Sequence, residues 1–278
     1  MRGVAGGHTG AVAEGDTIHR AANRLRPALA GTTLVRFEAK RLVGDRPRAG
    51  ELVDEVEAVG KHLLIHFSGG LSLRTHMRMN GSWHLYRAGE RWRKPAHLAR
   101  VVLEVDTGWL AVCFSAPVVE TFVRRAAPPP AIAGLGPDLC VPADIDTVLD
   151  TVIERLGRLV EPDLTIGEAL LDQRVAAGIG NVYKSEACFA VRLDPFTPVG
   201  ELDEAALRAV WATAARQLQA NLGSGRRATY EGGLAVYGRR GRPCPRCGTP
   251  VRMARQGEHQ RSTYWCPSCQ RRPPAGGA

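Results

Sequence analysis

Cys244-Pro245-Arg246-Cys247 and Cys266-Pro267-Ser268-Cys269 are two Cys-x2-Cys knuckles with 18 residues between them. Two tight turns at that spacing can present four thiolates to one tetrahedral Zn2+. Pro245 and Pro267 stiffen the knuckles, and Gly248 follows the first as a turn residue. The run between them, Val251 to Trp265, is long enough for a β-hairpin and carries Arg252, Arg255, His259 and Arg261. Such a ribbon either holds cations against nucleic acid or is a folding staple with no ligand of its own. The charge distribution favours the first. Residues 221–278 contain eleven Arg, no Lys and two acids, Glu231 and Glu258, which equals the net charge of +9 for the whole chain. Residues 1–220 balance at 26 basic and 26 acidic side chains. A metallated four-thiolate site subtracts about two charges. An Arg-only patch suits bidentate phosphate contacts. A GC-rich genome would explain Arg in place of Lys, but not the scarcity of acids.

A length of 278 residues points to two domains, and 44% hydrophobic residues suffice for ordinary cores. No apolar run approaches a membrane span, and Met1-Arg2-Gly3-Val4-Ala5-Gly6-Gly7 lacks the apolar core of a signal peptide. Four of the seven cysteines sit in the knuckles, and Cys113, Cys140 and Cys188 are scattered. This usage fits a reducing cytosol. The expectation is a cytoplasmic, nucleoid-associated protein with no membrane partner.

Residues 1–12 are Gly-rich and read as a disordered extension or a mis-assigned start. Asp16 or Thr17 can cap a helix whose apolar stripe is Ile18, Ala21, Ala22 and Leu25. Pro27 ends or restarts that helix, and Gly31 closes the segment. Glu14, just before it, suits a helix-dipole carboxylate or a catalytic acid. From Thr32 to Arg124 the pattern is β. The expected strands are Thr33–Glu38, Leu52–Val59, His62–Phe67, Ser72–Thr75, Ser82–Tyr86, Arg100–Val105, Leu110–Phe114 and Val118–Val123. Eight short strands suggest a sandwich or flattened barrel. Residues 126–143, with Pro128-Pro129-Pro130, read as a linker.

Beyond Pro142 the pattern is helical. Asp146–Leu156 is one helix, and Thr165 with Glu168 forms a capping box for the next. Residues 173–181 form a compact turn, and a helix follows from Val182 to about Val191. The last helix, Asp203 to Leu222, carries Leu207, Val210, Trp211, Ala214 and Leu218 on its core face. Gly178 and Gly180 permit either a phosphate grip at a helix N-terminus or an ordinary helix connection.

Five stretches come in a telling order: Ala13-Glu14-Gly15-Asp16-Thr17, then Val59-Gly60-Lys61-His62, Thr75-His76-Met77-Arg78-Met79-Asn80-Gly81, Gly178-Ile179-Gly180-Asn181-Val182-Tyr183-Lys184-Ser185-Glu186, and Arg261-Ser262-Thr263-Tyr264-Trp265-Cys266. Together they resemble the formamidopyrimidine-DNA glycosylase/endonuclease VIII family of base-excision repair enzymes, over about residues 13–270. The resemblance implies an α+β multidomain fold. An N-terminal catalytic β-sandwich would span 13–125, a helix–two-turn–helix DNA-binding domain 144–235, a zinc finger 236–270 and a disordered tail 271–278. It implies a bifunctional DNA glycosylase and abasic-site lyase holding one structural Zn2+ through Cys244, Cys247, Cys266 and Cys269. Its partner would be double-stranded damaged or abasic DNA, bound by a monomer. By the same resemblance Ala13 would supply the amine that attacks C1′, and Glu14 the acid at the ring oxygen. Lys61, Asn181 and Arg261 would hold phosphates, and Met79 would fill the hole left by the extruded base. From the residues alone, Met79 reads as edge-strand core and Lys61 as a surface cation.

Several positions depart from the family pattern. Phe114-Ser115-Ala116-Pro117-Val118-Val119 lacks the Arg and Phe of guanine-lesion members and looks nearer to the endonuclease VIII branch, which implies action on oxidised pyrimidines or mainly on abasic sites. The connection from Gly223 to Ala235 is short where those members place a base-covering loop. Asp16-Thr17 replaces the commoner Pro-Glu. The nucleophile position holds Ala13 in place of proline, with 12 residues before it. Val12 precedes Ala13, and a GTG codon there would allow initiation as Met followed by removal of the Met. The expectation is therefore an active chain that begins at Ala13; the rival is a non-catalytic relative that keeps only the grip on DNA.

Overall fold

A computed structural model of the chain describes residues 13–223 and 225–272. The expected extension at 1–12 and most of the expected tail lie outside those residues. The chain divides into two compact units. Among the described residues, one comprises Ala13 and Ala21–Pro128, the other Glu14–Arg20 and those from Pro129 to Arg272.

The first helix, α1 (Gly15–Leu29), contributes its first turns to the second unit and the rest to the first. It runs through Pro27, so the expected break there does not occur. Pro27 lies two residues from the helix end, where a missing N–H costs a single bond of the ladder. Ala21, Ala22, Leu25, Ala28 and Leu29 are buried along one face, as the spacing predicts.

All eight expected strands of the first unit form. They are β1 (Leu34–Ala39), β2 (Val53–Val59), β3 (His62–Phe67), β4 (Leu71–His76), β5 (Ser82–Arg87), β6 (Ala99–Val105), β7 (Trp109–Phe114) and β8 (Val118–Val123). They pair antiparallel into two four-stranded sheets, ordered β1-β6-β7-β5 and β2-β3-β4-β8. The architecture is a sandwich. Phe37 of β1 meets Phe67 of β3 edge-on at 6.3 Å, and the Trp83 indole N–H of β5 donates to Thr75 Oγ1 of β4 at 3.0 Å. Val53, Val56, Leu73, Val101, Leu103, Ala111 and Cys113 are fully buried in this unit, the alternation expected of two inward faces.

The second unit is helical and ends in a hairpin. Its helices are α2 (Pro130–Ala133), α3 (Ile145–Leu159), α4 (Ile166–Ala169), α5 (Asn181–Ala190) and α6 (Glu204–Ala220). Asp144 caps α3 by accepting from Thr147 N, and Asp203 caps α6 by accepting from Ala206 N. The Thr165 and Glu168 side chains bond each other at 2.6 Å, and neither completes the expected capping box. Tyr183, Trp211, Leu218, Leu156 and Ile179 share one core. Residues 126–143 do not behave as a free linker throughout. They include α2, and Leu139 and Cys140 are buried in the helical core, because apolar side chains close the packing beside α6.

The hairpin β9 (Arg252–Gln256) and β10 (Arg261–Trp265) pairs Arg261 with Gln256 and Trp265 with Arg252. A small core of Phe189, Ala235, Val236, Cys244, Val251 and Cys266 joins it to α5. Arg271 bridges to Leu193, and Arg272 pairs with Glu201, so the chain is held past residue 270.

Candidate functional site

The knuckles bring four sulfurs together. Cys247 Sγ lies 3.5 Å from Cys266 Sγ, and Cys244 Sγ lies 3.9 Å from Cys269 Sγ. All four atoms fall within 4.8 Å of one another. Zn–S bonds of about 2.3 Å at tetrahedral angles require sulfurs about 3.8 Å apart, so the cluster fits one zinc. Backbone N–H groups of Arg246 and Cys269 point at Cys244 and Cys266 sulfurs at 3.4 Å, as donors to thiolates do.

Glu14 is fully buried, one residue before α1. Its carboxylate accepts from the backbone N–H groups of Gly180 (3.2 Å), Val182 (2.8 Å) and Tyr183 (3.3 Å). These are donors at the N-terminus of α5, which have no partner inside the helix. The N-terminal end of α5 thus receives an anion, a protein carboxylate and not a phosphate. Gly180 has no room for a side chain, because a Cβ there would lie 2.4 Å from Glu14 Cδ. Gly15 packs against the same turn, its N–H donating to Gly178 O at 2.9 Å. The Gly178 and Gly180 pair is therefore the seat for Glu14 and Gly15.

Asp16, which sequence reading treats as a cap, sits inside α1 and is fully buried. Arg227 grips it with Nη2 at 2.5 Å and Nε at 3.1 Å, and also donates to Thr17 Oγ1 at 3.1 Å. Arg20 reaches the same carboxylate at 3.2 Å. The Arg227 guanidinium lies 5.0 Å over the Tyr183 ring. Burial and the Asp16 charge push the Tyr183 phenol well above its ordinary range, so it stays neutral. The short connection after α6 is thereby tied to the first turn of α1. No motif in the sequence marks this pair, since its members are 211 residues apart.

Glu186 holds the rest of that connection. Its buried carboxylate accepts from the Thr229 hydroxyl and from the N–H groups of Ala235 (2.8 Å), Val236 (2.9 Å) and Tyr237 (2.8 Å). Lys184, also fully buried, donates to Thr263 Oγ1 at 2.6 Å and joins α5 to β10. Burial lowers its pKa to about 8. Both residues belong to the quoted Gly178–Glu186 stretch, but their partners are legible only in three dimensions.

The remaining candidates fall in both units. Asn181 opens α5, and Arg261 is exposed at the start of β10, whose Tyr264 N–H donates to Ser185 Oγ of α5 at 3.3 Å. In the first unit Lys61 follows Gly60 in the β2–β3 turn. Met79 lies in the turn between β4 and β5 and is 52% exposed. The reading of Met79 as edge-strand core fails, because β4 ends at His76 and Arg78 turns the chain with φ 45°. His62 pairs with His76 across β3 and β4, so Lys61 and Met79 leave the sheet at the same end. Burial, with Lys61 nearby, lowers His62 to about 3 and His76 to about 4. Both imidazoles are neutral at pH 7. Ala13 is half-buried immediately before Glu14.

Three family models match the chain: the formamidopyrimidine-DNA glycosylase N-terminal domain over 12–115, the formamidopyrimidine-DNA glycosylase H2TH domain over 141–231, and the zinc finger found in FPG and IleRS over 241–272. The probable endonuclease 8 2 of Streptomyces coelicolor is 44% identical over 269 residues, 94% of each chain. The DNA-(apurinic or apyrimidinic site) lyase Nei2 of Mycolicibacterium smegmatis is 40% identical over 92% of this chain and 98% of its own. Among solved structures, the MutM (Fpg) protein of Thermus thermophilus superposes with a TM-score of 0.74 at 28% identity, covering 94% of this chain and 100% of that one.

Proposed function

The chain belongs to the formamidopyrimidine-DNA glycosylase and endonuclease VIII family, and on that premise we propose that it is a DNA glycosylase with abasic-site lyase activity, working in base excision repair on oxidised pyrimidines or on abasic sites themselves. The observation that carries the reading is the Glu14 carboxylate, wholly buried and held by three backbone N–H groups beside Ala13. Its place immediately after Ala13, and not its capping of α5 alone, supports the catalytic role. One structural zinc on the four cysteines keeps the Arg261 hairpin in shape.

In this mechanism the free amine of Ala13 adds to C1′ of an extruded nucleotide. The bond from C1′ to the base breaks, and the base leaves with the electron pair and takes up a proton. The C1′–O4′ bond opens as O4′ is protonated, which leaves a protonated Schiff base. Loss of a C2′ proton then expels the 3′ phosphate, and water hydrolyses the imine to return the amine. Glu14 is the proton donor at O4′. As a carboxylate it also steadies the cationic imine. Lys61, Asn181 and Arg261 hold phosphates, and Met79 fills the vacated stack, for which an exposed, unbranched apolar side chain on a tight turn is suited. The short, clamped connection after α6 and the lack of Arg and Phe after Phe114 favour the endonuclease VIII type of substrate.

The test is borohydride trapping on an abasic duplex, run on the 278-residue chain and on a form beginning at Ala13. The reading expects a covalent protein–DNA adduct from the Ala13 form, lost on acetylation of its amine. No adduct, with DNA still bound, would instead identify a non-catalytic DNA-binding relative.

A further inference from the structure

We infer that the loop Arg91-Trp92-Arg93-Lys94, between β5 and β6, is a preorganised DNA-backbone contact that extends the grip beside Met79; the inference rests on the reading of the chain as a DNA-binding enzyme. The charge balance of residues 1–220 hides this cluster, because the acids that offset it lie elsewhere. Glu90, the acid next to it, is exposed and accepts from Arg87 N at 3.0 Å. Among the described residues no carboxylate forms an ion pair with Arg91, Arg93 or Lys94, and Arg91 and Arg93 are exposed.

A solvated surface loop needs no internal scaffold, and this one has two. Trp92 stacks on Tyr86 with ring centres 6.3 Å apart and meets Phe114 edge-on at 5.7 Å. Tyr86 and Phe114 belong to a buried cluster on the β5-β7-β6 strands. The second scaffold is a hydrogen-bonded chain. Lys94 Nζ donates to Ser82 Oγ at 2.9 Å, Ser82 Oγ meets His84 Nε2 at 3.0 Å, and His84 Nδ1 meets the Tyr86 hydroxyl at 3.0 Å. That hydroxyl accepts from Arg93 N at 3.1 Å. Burial, then the charges of Lys94 and Arg93, lowers His84 to about 4, so a neutral imidazole links the two ends. Both cations therefore flank an anchored backbone, and little ordering entropy is lost when they meet an anion.

Position identifies the anion. Ser82 is the first residue of β5, directly after the turn that presents Met79. Lys94 thus ties the loop to the end of the sandwich from which Met79 and Lys61 emerge. A duplex whose stack is filled by Met79 runs past this loop, and its repeating phosphates match exposed guanidiniums.

The experiment measures duplex binding against KCl concentration, using an uncleavable abasic analogue and fluorescence anisotropy. The proteins are wild type, Arg91→Gln/Arg93→Gln, Trp92→Ala and Arg261→Ala. Each phosphate contact contributes about 0.9 to the log–log slope. Two lost contacts should lower the slope by about 1.8, so from 50 to 200 mM KCl the double variant should lose about twelvefold less affinity than wild type. Trp92→Ala keeps both charges but frees the loop; it should weaken binding with nearly the wild-type slope. Arg261→Ala reports on DNA binding independently. A lowered slope for Arg261→Ala with a wild-type slope and affinity for the loop double variant would overturn the loop assignment alone. Absence of duplex binding by the wild-type protein would overturn the underlying reading.

Discussion

Glu186→Gln tests the anchor that joins the helices to the zinc hairpin. The wild-type carboxylate serves four donors: Val236 N and Tyr237 N on Oε1, and Ala235 N and the Thr229 hydroxyl on Oε2. Glutamine keeps the shape but replaces one oxygen by an NH2 group. The less costly orientation leaves its carbonyl on Val236 and Tyr237. The NH2 group then faces Thr229, whose hydroxyl can rotate to accept, and Ala235 N, which cannot. One buried N–H is thus orphaned at about 1–3 kcal/mol, and the surviving bonds lose their charge assistance. The expected loss is about 3 kcal/mol, enough to move a melting temperature by several degrees. Urea unfolding measures the loss. Amide exchange at residues 235–237 locates it, and those three amides should lose protection before the α5–α6 core does. The small core of Phe189, Val236, Cys244 and Cys266 lies next to these amides, so zinc should also leave faster to a chelator. A destabilisation below 1 kcal/mol, with unchanged exchange at 235–237, would refute the assignment of Glu186 as the anchor.

Three further outcomes are expected. The purified protein should hold one zinc, Cys244→Ser should not retain it tightly, and its DNA binding should weaken with a shallower salt dependence as the Arg261 hairpin loosens; unchanged metal content in the variant counts against the four-cysteine site. Glu14→Gln should keep DNA binding but lose base excision by at least tenfold more than it loses cleavage at preformed abasic sites, since an abasic sugar opens without an acid; wild-type excision in single-turnover assays refutes the role. Lys184 has a folded pKa of about 8 against an ordinary 10.5, so the unfolded chain binds more protons between those values and stability rises with pH across that window. The rise should approach about 3 kcal/mol by pH 10.5 and be missing in Lys184→Met; equal pH dependence of urea midpoints in both proteins rules it out.

The sequence alone determined the parts whose physics is local. Cys-x2-Cys spacing specifies a thiolate cluster whatever the rest of the chain does. Alternation over eight short runs specifies strands, and their ends agree with the pairing to within a residue or two. The extents of the three helices read as Asp146–Leu156, Val182 to about Val191 and Asp203–Leu222 agree with α3, α5 and α6 to within three residues. The site motifs were legible as words, because a family resemblance attaches to short stretches. Their meanings were often tertiary. Glu14 was a carboxylate near a helix start with two open roles, and only folding put it on the N–H groups of Gly180, Val182 and Tyr183. Asp16 read as a cap until Arg227, 211 residues away, claimed it. Met79 read as strand core because its neighbours alternate, and the Arg78 turn turned it outward. The loop cations vanished into a neutral half-chain balance, since charge counted along a sequence ignores which acids pair with which cations. Periodicity, spacing and capping act over a few residues and can be read from order. Buried ion pairs, shared carboxylates and exposed cations depend on which distant segments the packing brings together, and that is decided only when the chain closes on itself.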